Sequence, residues 1–184
     1  GFTKGGTANY LDNLTLSGSS VTVGATSQIS GNFNLTSSSS TANLAAFTAG
    51  NSITVNNAGT LTTSGTLAAS LGSISQTGIG LVTLGGNLTA GTKVQLATDT
   101  TLAANSTILA PTINLVGALD GSFDLTLKGS SSNTLSGLVG ANTPLSSLVF
   151  LGSPGTIAVS KDITTTGNIT VTGGTGLASF QNLT

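Results

Sequence analysis

Two aspartates and a lysine at intervals of four residues, Asp120, Asp124 and Lys128, are the side chains best placed to do chemistry. Residues four apart in an extended strand lie on the same face. Paired carboxylates cleave glycosidic bonds by acid–base catalysis, and they also bind Ca²⁺. Leu119 and Gly121, however, favour a turn at Asp120. We interpret both aspartates as solvated turn and rim residues, with Lys128 as a neighbouring counter-charge.

The residue types that most catalytic sites require are absent. The chain contains no His, Cys, Glu or Arg, so neither a nucleophile–base pair nor the usual acid–base sets can be assembled. Calcium needs about six to eight oxygen ligands, and the Gly-Gly-x-Gly-x-Asp nonapeptide of calcium-binding solenoids is missing. We therefore predict that the protein is not an enzyme and has no catalytic residue, cofactor site or metal site.

Charged residues are scarce, and this narrows the classes of partner. Four lysines and five aspartates give a net charge of −1, and 5% of residues are charged, against about a quarter in ordinary domains. Such a chain has no basic patch for nucleic acid. It also lacks the run of about 20 apolar residues needed for a membrane span. No signal-peptide pattern is recognisable in residues 1–184, so any signal peptide is expected to lie outside this numbering. A hydrophobic content of 38% argues against disorder.

Several smaller motifs have ordinary structural explanations. Lys161-Asp162 is predicted to be a surface pair. Gly78-Ile79-Gly80 and the glycine-rich residues 173–176 lack the Lys-Ser/Thr of a phosphate-binding loop and are predicted turns. Six Asn-x-Ser/Thr sites are possible glycosylation acceptors, namely Asn13, Asn34, Asn87, Asn105, Asn168 and Asn182.

Threonine clusters suggest a possible binding face. Thr62-Thr63, residues 164–166 (Thr-Thr-Thr) and Thr170-x-Thr172 could together form a flat surface like that of solenoid ice-binding proteins. Those proteins usually repeat one Thr-x-Thr word on nearly every turn, whereas Ser, Asn and Ala interrupt the pattern here. Ice binding and polysaccharide binding are therefore minor alternatives.

Short runs of apolar alternation predict an all-β fold. Period two over three to five residues is the signature of strands, and clusters of Gly, Asn and Ser between the runs favour turns. Helical patterns are nearly absent. The alternating runs are residues 14–16, 21–23, 33–35, 53–55, 82–84, 94–96, 113–115, 125–127, 157–159 and 169–171.

The runs recur at a nearly constant spacing. Successive members of one set are 18 to 21 residues apart, and Leu148 and Ile169 are 21 apart. A period near 20 residues is typical of repeat architectures, in which each unit buries its apolar face against its neighbours. We predict a right-handed parallel β-helix (β-solenoid) of about nine coils rather than an antiparallel sandwich. The residues predicted to form inward ladders are Leu14, Leu35, Ile53, Ile74, Val94 and Ile113.

The rhythm is interrupted around residues 130–147. This stretch contains Ser130-Ser131-Ser132-Asn133 and Gly140-Ala141-Asn142-Thr143-Pro144. We predict a longer loop or an irregular coil there. No change of composition marks a domain boundary, so residues 1–184 are expected to form a single solenoid segment.

Residues 103–173 carry a resemblance to a known family. Residues 119–127 (Leu-Asp-Gly-Ser-Phe-Asp-Leu-Thr-Leu) and 140–148 (Gly-Ala-Asn-Thr-Pro-Leu-Ser-Ser-Leu) are followed by residues 155–159 and by 162–167 (Asp-Ile-Thr-Thr-Thr-Gly). This order resembles the repeats of filamentous-haemagglutinin-like adhesins and autotransporter passenger stalks. The N-terminal motifs and capping region of the family's secretion domain are not present, which favours internal stalk.

The resemblance implies an exported, non-catalytic stalk displayed on the bacterial cell surface, where it spaces or presents an adhesive region. The alternative is a subunit of a self-assembling extracellular filament or sheath. Expected partners are a longer continuation of the chain or further copies stacked end to end through backbone pairing that depends little on salt. A host or surface glycan or protein is the other possible partner.

Overall fold

The computed structural model describes residues 2–4, 12–24, 27–152, 155–173, 178–180 and 183. These residues contain 22 strands and no helix, and the strand pairings are parallel. The chain winds as an all-β parallel solenoid of about eight turns. Each turn contributes strands to three faces in the same order, so each strand hydrogen-bonds to the equivalent strand one turn away.

Face 1 is the first ladder of equivalent strands. In stacking order it contains β2 (Leu14–Gly18), β5 (Phe33–Ser37), β8 (Ile53–Asn57), β11 (Ile74–Gln76), β14 (Lys93–Leu96), the C-terminal parts of β16 (Ser106–Leu115) and β18 (Asp124–Leu135), β20 (Thr156–Val159) and β22 (Ala178–Ser179).

Face 2 follows face 1 in each turn and is made of short strands. Isolated bridges at Val139, Ile163 and Leu183 extend it beyond its last strand. The strands are β1 (Phe2–Lys4), β3 (Val21–Val23), β6 (Ala42–Leu44), β9 (Leu61–Thr63), β12 (Val82–Leu84), β15 (Thr100–Leu102) and β17 (Leu119–Asp120).

Face 3 completes each turn. Its strands are β4 (Ser27–Ile29), β7 (Phe47–Ala49), β10 (Leu67–Ala69), β13 (Leu88–Ala90), the N-terminal parts of β16 and β18, β19 (Ser147–Leu151) and β21 (Ile169–Thr172). Because β16 and β18 continue across a corner, they belong to both face 3 and face 1.

The core consists of inward columns, as the alternation predicted. On face 1 the strand register aligns Leu14, Phe33, Ile53, Ile74, Val94 and Ile113 in one column. The predicted ladder is therefore correct except at Leu35, which is buried but lies in the next column, beside Leu16 and Val55. The strand β5 has two inward apolar residues two positions apart, and periodicity alone does not show which of them aligns with Ile53.

Aromatic packing joins two faces inside the same turn. Phe33 on face 1 and Phe47 on face 3 are fully buried, and their ring centroids are 4.2 Å apart. Later in the stack, Leu148 pairs directly with Ile169, as their 21-residue separation predicted. These contacts and the parallel ladders exclude the antiparallel sandwich.

Residues 130–147 divide into a strand and an irregular part. Ser130 to Leu135 lie in β18, and a shift of register between Ala110 and Thr112 of the neighbouring β16 accommodates the bend. The chain from residue 136 to 146 then keeps its place in the stack through isolated bridges at Val139 and Leu145. The irregular part is thus held between regular turns.

Candidate functional site

Asp120 uses its carboxylate to hold the next turn. The residue ends β17 and is half-buried. Its Oδ1 accepts hydrogen bonds from the backbone N–H groups of Asn142 (2.9 Å) and Thr143 (3.1 Å), and its Oδ2 accepts one from Asn142 Nδ2 (3.1 Å). Charge-assisted bonds of this kind are among the stronger ones in proteins. The sequence predicted a turn residue, whereas the structure shows a strand end that anchors residues 142 and 143.

Asp124 has a separate partner. It begins β18 and is exposed, and its Oδ1 accepts a hydrogen bond from Ser147 Oγ at 2.7 Å. Its backbone N–H donates to Asn105 Oδ1 at 3.0 Å. Strand pairing places Lys128 beside Leu109 rather than beside an aspartate. The three predicted residues therefore share one region, and each aspartate there makes contacts that bridge successive turns.

The contact made by Asp120 recurs along the solenoid. At one corner Asn13 Oδ1 accepts the Asn32 N–H (2.8 Å), Asn32 Oδ1 accepts the Ser52 N–H (3.2 Å), and Ser52 Oγ accepts the Ser73 N–H (3.1 Å). We call the side chains outside the core that accept an N–H from the next turn the corner acceptors. They are Asn13, Asn32, Ser52, Asn87, Asp99, Asn105 and Asp120.

The corner acceptors account for half of the possible glycosylation sites. Asn13, Asn87 and Asn105 direct their amide oxygens at backbone N–H groups. Asn34 projects from face 1 and Asn168 precedes β21, and both are exposed. Asn182 lies outside the described residues. The Asn-x-Ser/Thr pattern did not reveal this structural role, because a corner position is visible only once the turns are aligned.

The remaining motifs are a predicted surface pair and predicted turns. Lys161 and Asp162 are both exposed between β20 and the bridge at Ile163. Gly80 is required for space, because a Cβ there would lie 1.8 Å from the Gly59 carbonyl oxygen of the previous turn. Gly173 has a φ of 80°, a conformation that glycine adopts readily. Residues 174–176 lie outside the described residues.

Two buried amides form a network that the alternation pattern did not predict. Gln76 occupies an inward position, 1% exposed, in the column of Leu35 and Leu96. Its Nε2 donates to Asn57 Oδ1 (2.8 Å) and to the Gly78 carbonyl (2.9 Å), and its Oε1 accepts the N–H of residue 97 (2.8 Å). The network holds the loop that contains Ile79, whose side chain is 86% exposed.

One cavity lies in the described interior, and it has no room for a small-molecule ligand. It has a volume of about 10 Å³, close to that of a single water, and apolar side chains such as Val55, Leu61 and Leu88 surround it. Within the described ranges no three residues of the types His, Cys, Asp and Glu come together as a metal-binding group. No helix among these residues is suited to crossing a membrane.

Face 2 has an outward column of polar residues in continuous register. The middle residue of each short strand lies in register with the middle residue of the next, without a bulge. We call this set the threonine column. It contains Thr22, Asn43, Thr62, Thr83 and Thr101, all of them at least partly exposed. The next position in register after Thr101 is Asp120, where the column ends.

Most of the threonine clusters identified in the sequence are not part of this column. Thr62 belongs to it, but Thr63 points inward and is 2% exposed, with its Oγ1 accepting the Gly85 N–H. Residues 164–166 lie outside regular strands, and Thr170 is on face 3. The useful signal was the middle position of each face 2 triplet, repeated at intervals of 18 to 21 residues.

The chain has no match among protein-family models, and searches of curated proteins and of solved structures find no significant similarity.

Proposed function

We propose that the protein is a rigid, non-catalytic spacer: a stalk segment of an exported bacterial surface adhesin that holds an adhesive region away from the cell. The observation that carries this proposal is the structural use of the residues that resemble adhesin repeats. Leu125, Leu127 and Leu148 are fully buried, and Asp120 anchors the following turn. The motif thus encodes the stacking of turns.

Rigidity is what such a stalk requires, and the contacts between turns supply it. Three parallel ladders join each turn to the next, and the corner acceptors add side-chain bonds between them. Unpaired backbone groups inside such a stack would be costly. A solenoid held in this way keeps its direction over many turns, whereas a flexible linker of the same length would coil.

The spacer proposal predicts how length depends on the number of turns. Residues 33–52 form one turn, because Phe33 and Ile53 occupy equivalent positions. Adding in-register copies of this segment should lengthen the rod by about 4.8 Å per copy. A Gly/Ser insertion with the same number of residues should instead add a length that grows as about the square root of that number. Small-angle X-ray scattering and a surface-anchored chain with a distal tag would both measure this.

Two results would contradict the proposal. One is a maximum dimension that does not increase linearly with added turns while the proteins remain folded. The other is cleavage of a polysaccharide by the purified chain that disappears in the double variant Asp120→Ala, Asp124→Ala. The filament alternative predicts the same rod, together with association of the chain that persists at high salt. Light scattering over a range of ionic strength would distinguish it from a monomeric segment.

A further inference from the structure

We propose that the threonine column is a binding face for a neutral, extended β-linked polysaccharide, with about one sugar unit per turn. The hydroxyl groups of Thr22, Thr62, Thr83 and Thr101 make none of the described side-chain hydrogen bonds, whereas the corner acceptors are bonded to the next turn. The column is therefore not needed to join the turns, and its donors and acceptors face outward.

The spacing of the threonine column is close to that of an extended sugar chain. Neighbouring strands lie about 4.8 Å apart, which is close to the length of one pyranose unit in an extended β-linked chain. On one side the positions that flank the column are small, since face 2 strands are followed by Gly24, Ala45, Ser64, Gly85 and Ala103. On the other side Leu81 and Asp99 are exposed. A long polymer can therefore lie flat against the side with small residues. Threonine is stiff about χ1, so binding would order few side-chain rotamers.

Charge limits the class of ligand. No charged residue occurs between Asp12 and Lys93, a stretch that includes the first four members of the column. A sulfated or uronic-acid polymer requires cationic partners, and face 2 provides none there. Hydroxyl and amide groups suit uncharged sugar hydroxyls, because each can both donate and accept. Asn43 also interrupts the strict repetition that matching to an ice lattice would require.

The test compares two matched triple variants. The first, Thr62→Val, Thr83→Val and Thr101→Val, removes hydroxyls from the column and preserves side-chain shape. The second, Thr48→Val, Thr89→Val and Thr126→Val, makes the same changes at partly exposed positions on face 3. Binding to microcrystalline cellulose and to cellohexaose would be measured by co-sedimentation and calorimetry, after circular dichroism confirms that both variants are folded.

We expect the parent chain to bind both probes with little change between ~0.05 and ~1 M NaCl, because no ion pairs are involved. The face 2 variant should bind about tenfold more weakly or worse, and the face 3 variant should bind like the parent. The proposal is overturned by equal losses in the two variants or by the absence of binding to either probe. Preferential binding of heparin, or ice-crystal shaping without glucan binding, would also overturn it.

Discussion

Asn133 is a buried amide among apolar neighbours. It lies in the inward column of face 1 between Ile113 and Ile157, with no exposed surface. Its Nδ2 makes a long hydrogen bond of 3.4 Å to the Gly129 carbonyl, and its Oδ1 has no hydrogen-bond partner. A buried amide in this state lowers stability, because the lost contact with water is not replaced.

Replacing Asn133 with leucine should therefore stabilise the protein. We expect Asn133→Leu to raise the free energy of unfolding by about 1 kcal/mol, since the leucine removes an unsatisfied group and continues the apolar column. Urea unfolding followed by circular dichroism would measure the change.

A reciprocal substitution in the same column serves as the control. Ile113→Asn places a second amide beside Asn133 and should lower the free energy of unfolding by about 2 to 4 kcal/mol. A decrease in stability for Asn133→Leu would show that the amide has an essential partner, such as a bound water.

At the scale of strands and turns, much of the fold could be predicted from two patterns. Alternation with period two marks the strands, and the repeat of about 20 residues marks the turns of the solenoid. The ten alternating runs all lie in strands. Strands such as β4 (Ser-Gln-Ile) and β10 (Leu-Ala-Ala) were missed, because small and polar residues carry a weak alternation signal. Right-handed coiling stays a prediction.

The polar interior could not be predicted for a different reason. Gln76, Asn57 and Asn133 occupy inward positions that alternation assigns to apolar residues. The burial of Gln76 and Asn57 depends on a hydrogen bond between residues roughly one turn apart in sequence, whereas Asn133 bonds only to the nearby Gly129 carbonyl. The corner acceptors could not be predicted from the sequence either. Composition showed that Asn, Asp and Ser are present, but only the aligned turns show which of them accept a backbone N–H.

Deleting a whole turn should be tolerated, whereas deleting part of one should not. Removing residues 33–52 joins Asn32 to Ile53, which keeps every later residue on its own face. Because stability in a solenoid is the sum of turns and their interfaces, we expect a folded protein with a modestly lower thermal midpoint.

Removing only residues 33–41 deletes part of a turn and is the comparison for the whole-turn deletion. It moves face 2 residues onto face 1, so that inward side chains no longer align with those of adjacent turns. We expect loss of cooperative unfolding, measured by thermal denaturation and by β-sheet circular dichroism. Similar melting curves for the two deletions would show that register between turns does not determine the fold.

For the whole molecule, the composition predicts an unusual insensitivity to pH. The chain contains no histidine, and histidine is the side chain whose ordinary pKa lies between pH 5 and 8. We expect the thermal midpoint to vary by less than about 2 °C over this range, because the number of bound protons then differs little between the folded and unfolded states. Differential scanning calorimetry would measure it. A sigmoidal change near neutral pH would contradict this expectation.

The direction of the ladder hydrogen bonds determines how the molecule responds to force. These bonds run between successive turns, along the stacking axis, so tension along that axis peels turns away one after another instead of shearing all of them together. Each detached turn shortens the rod by about 4.8 Å and releases about 65 Å of extended chain. Under flow, the proposed stalk would yield in many similar steps and dissipate work at each, with the remaining turns still folded.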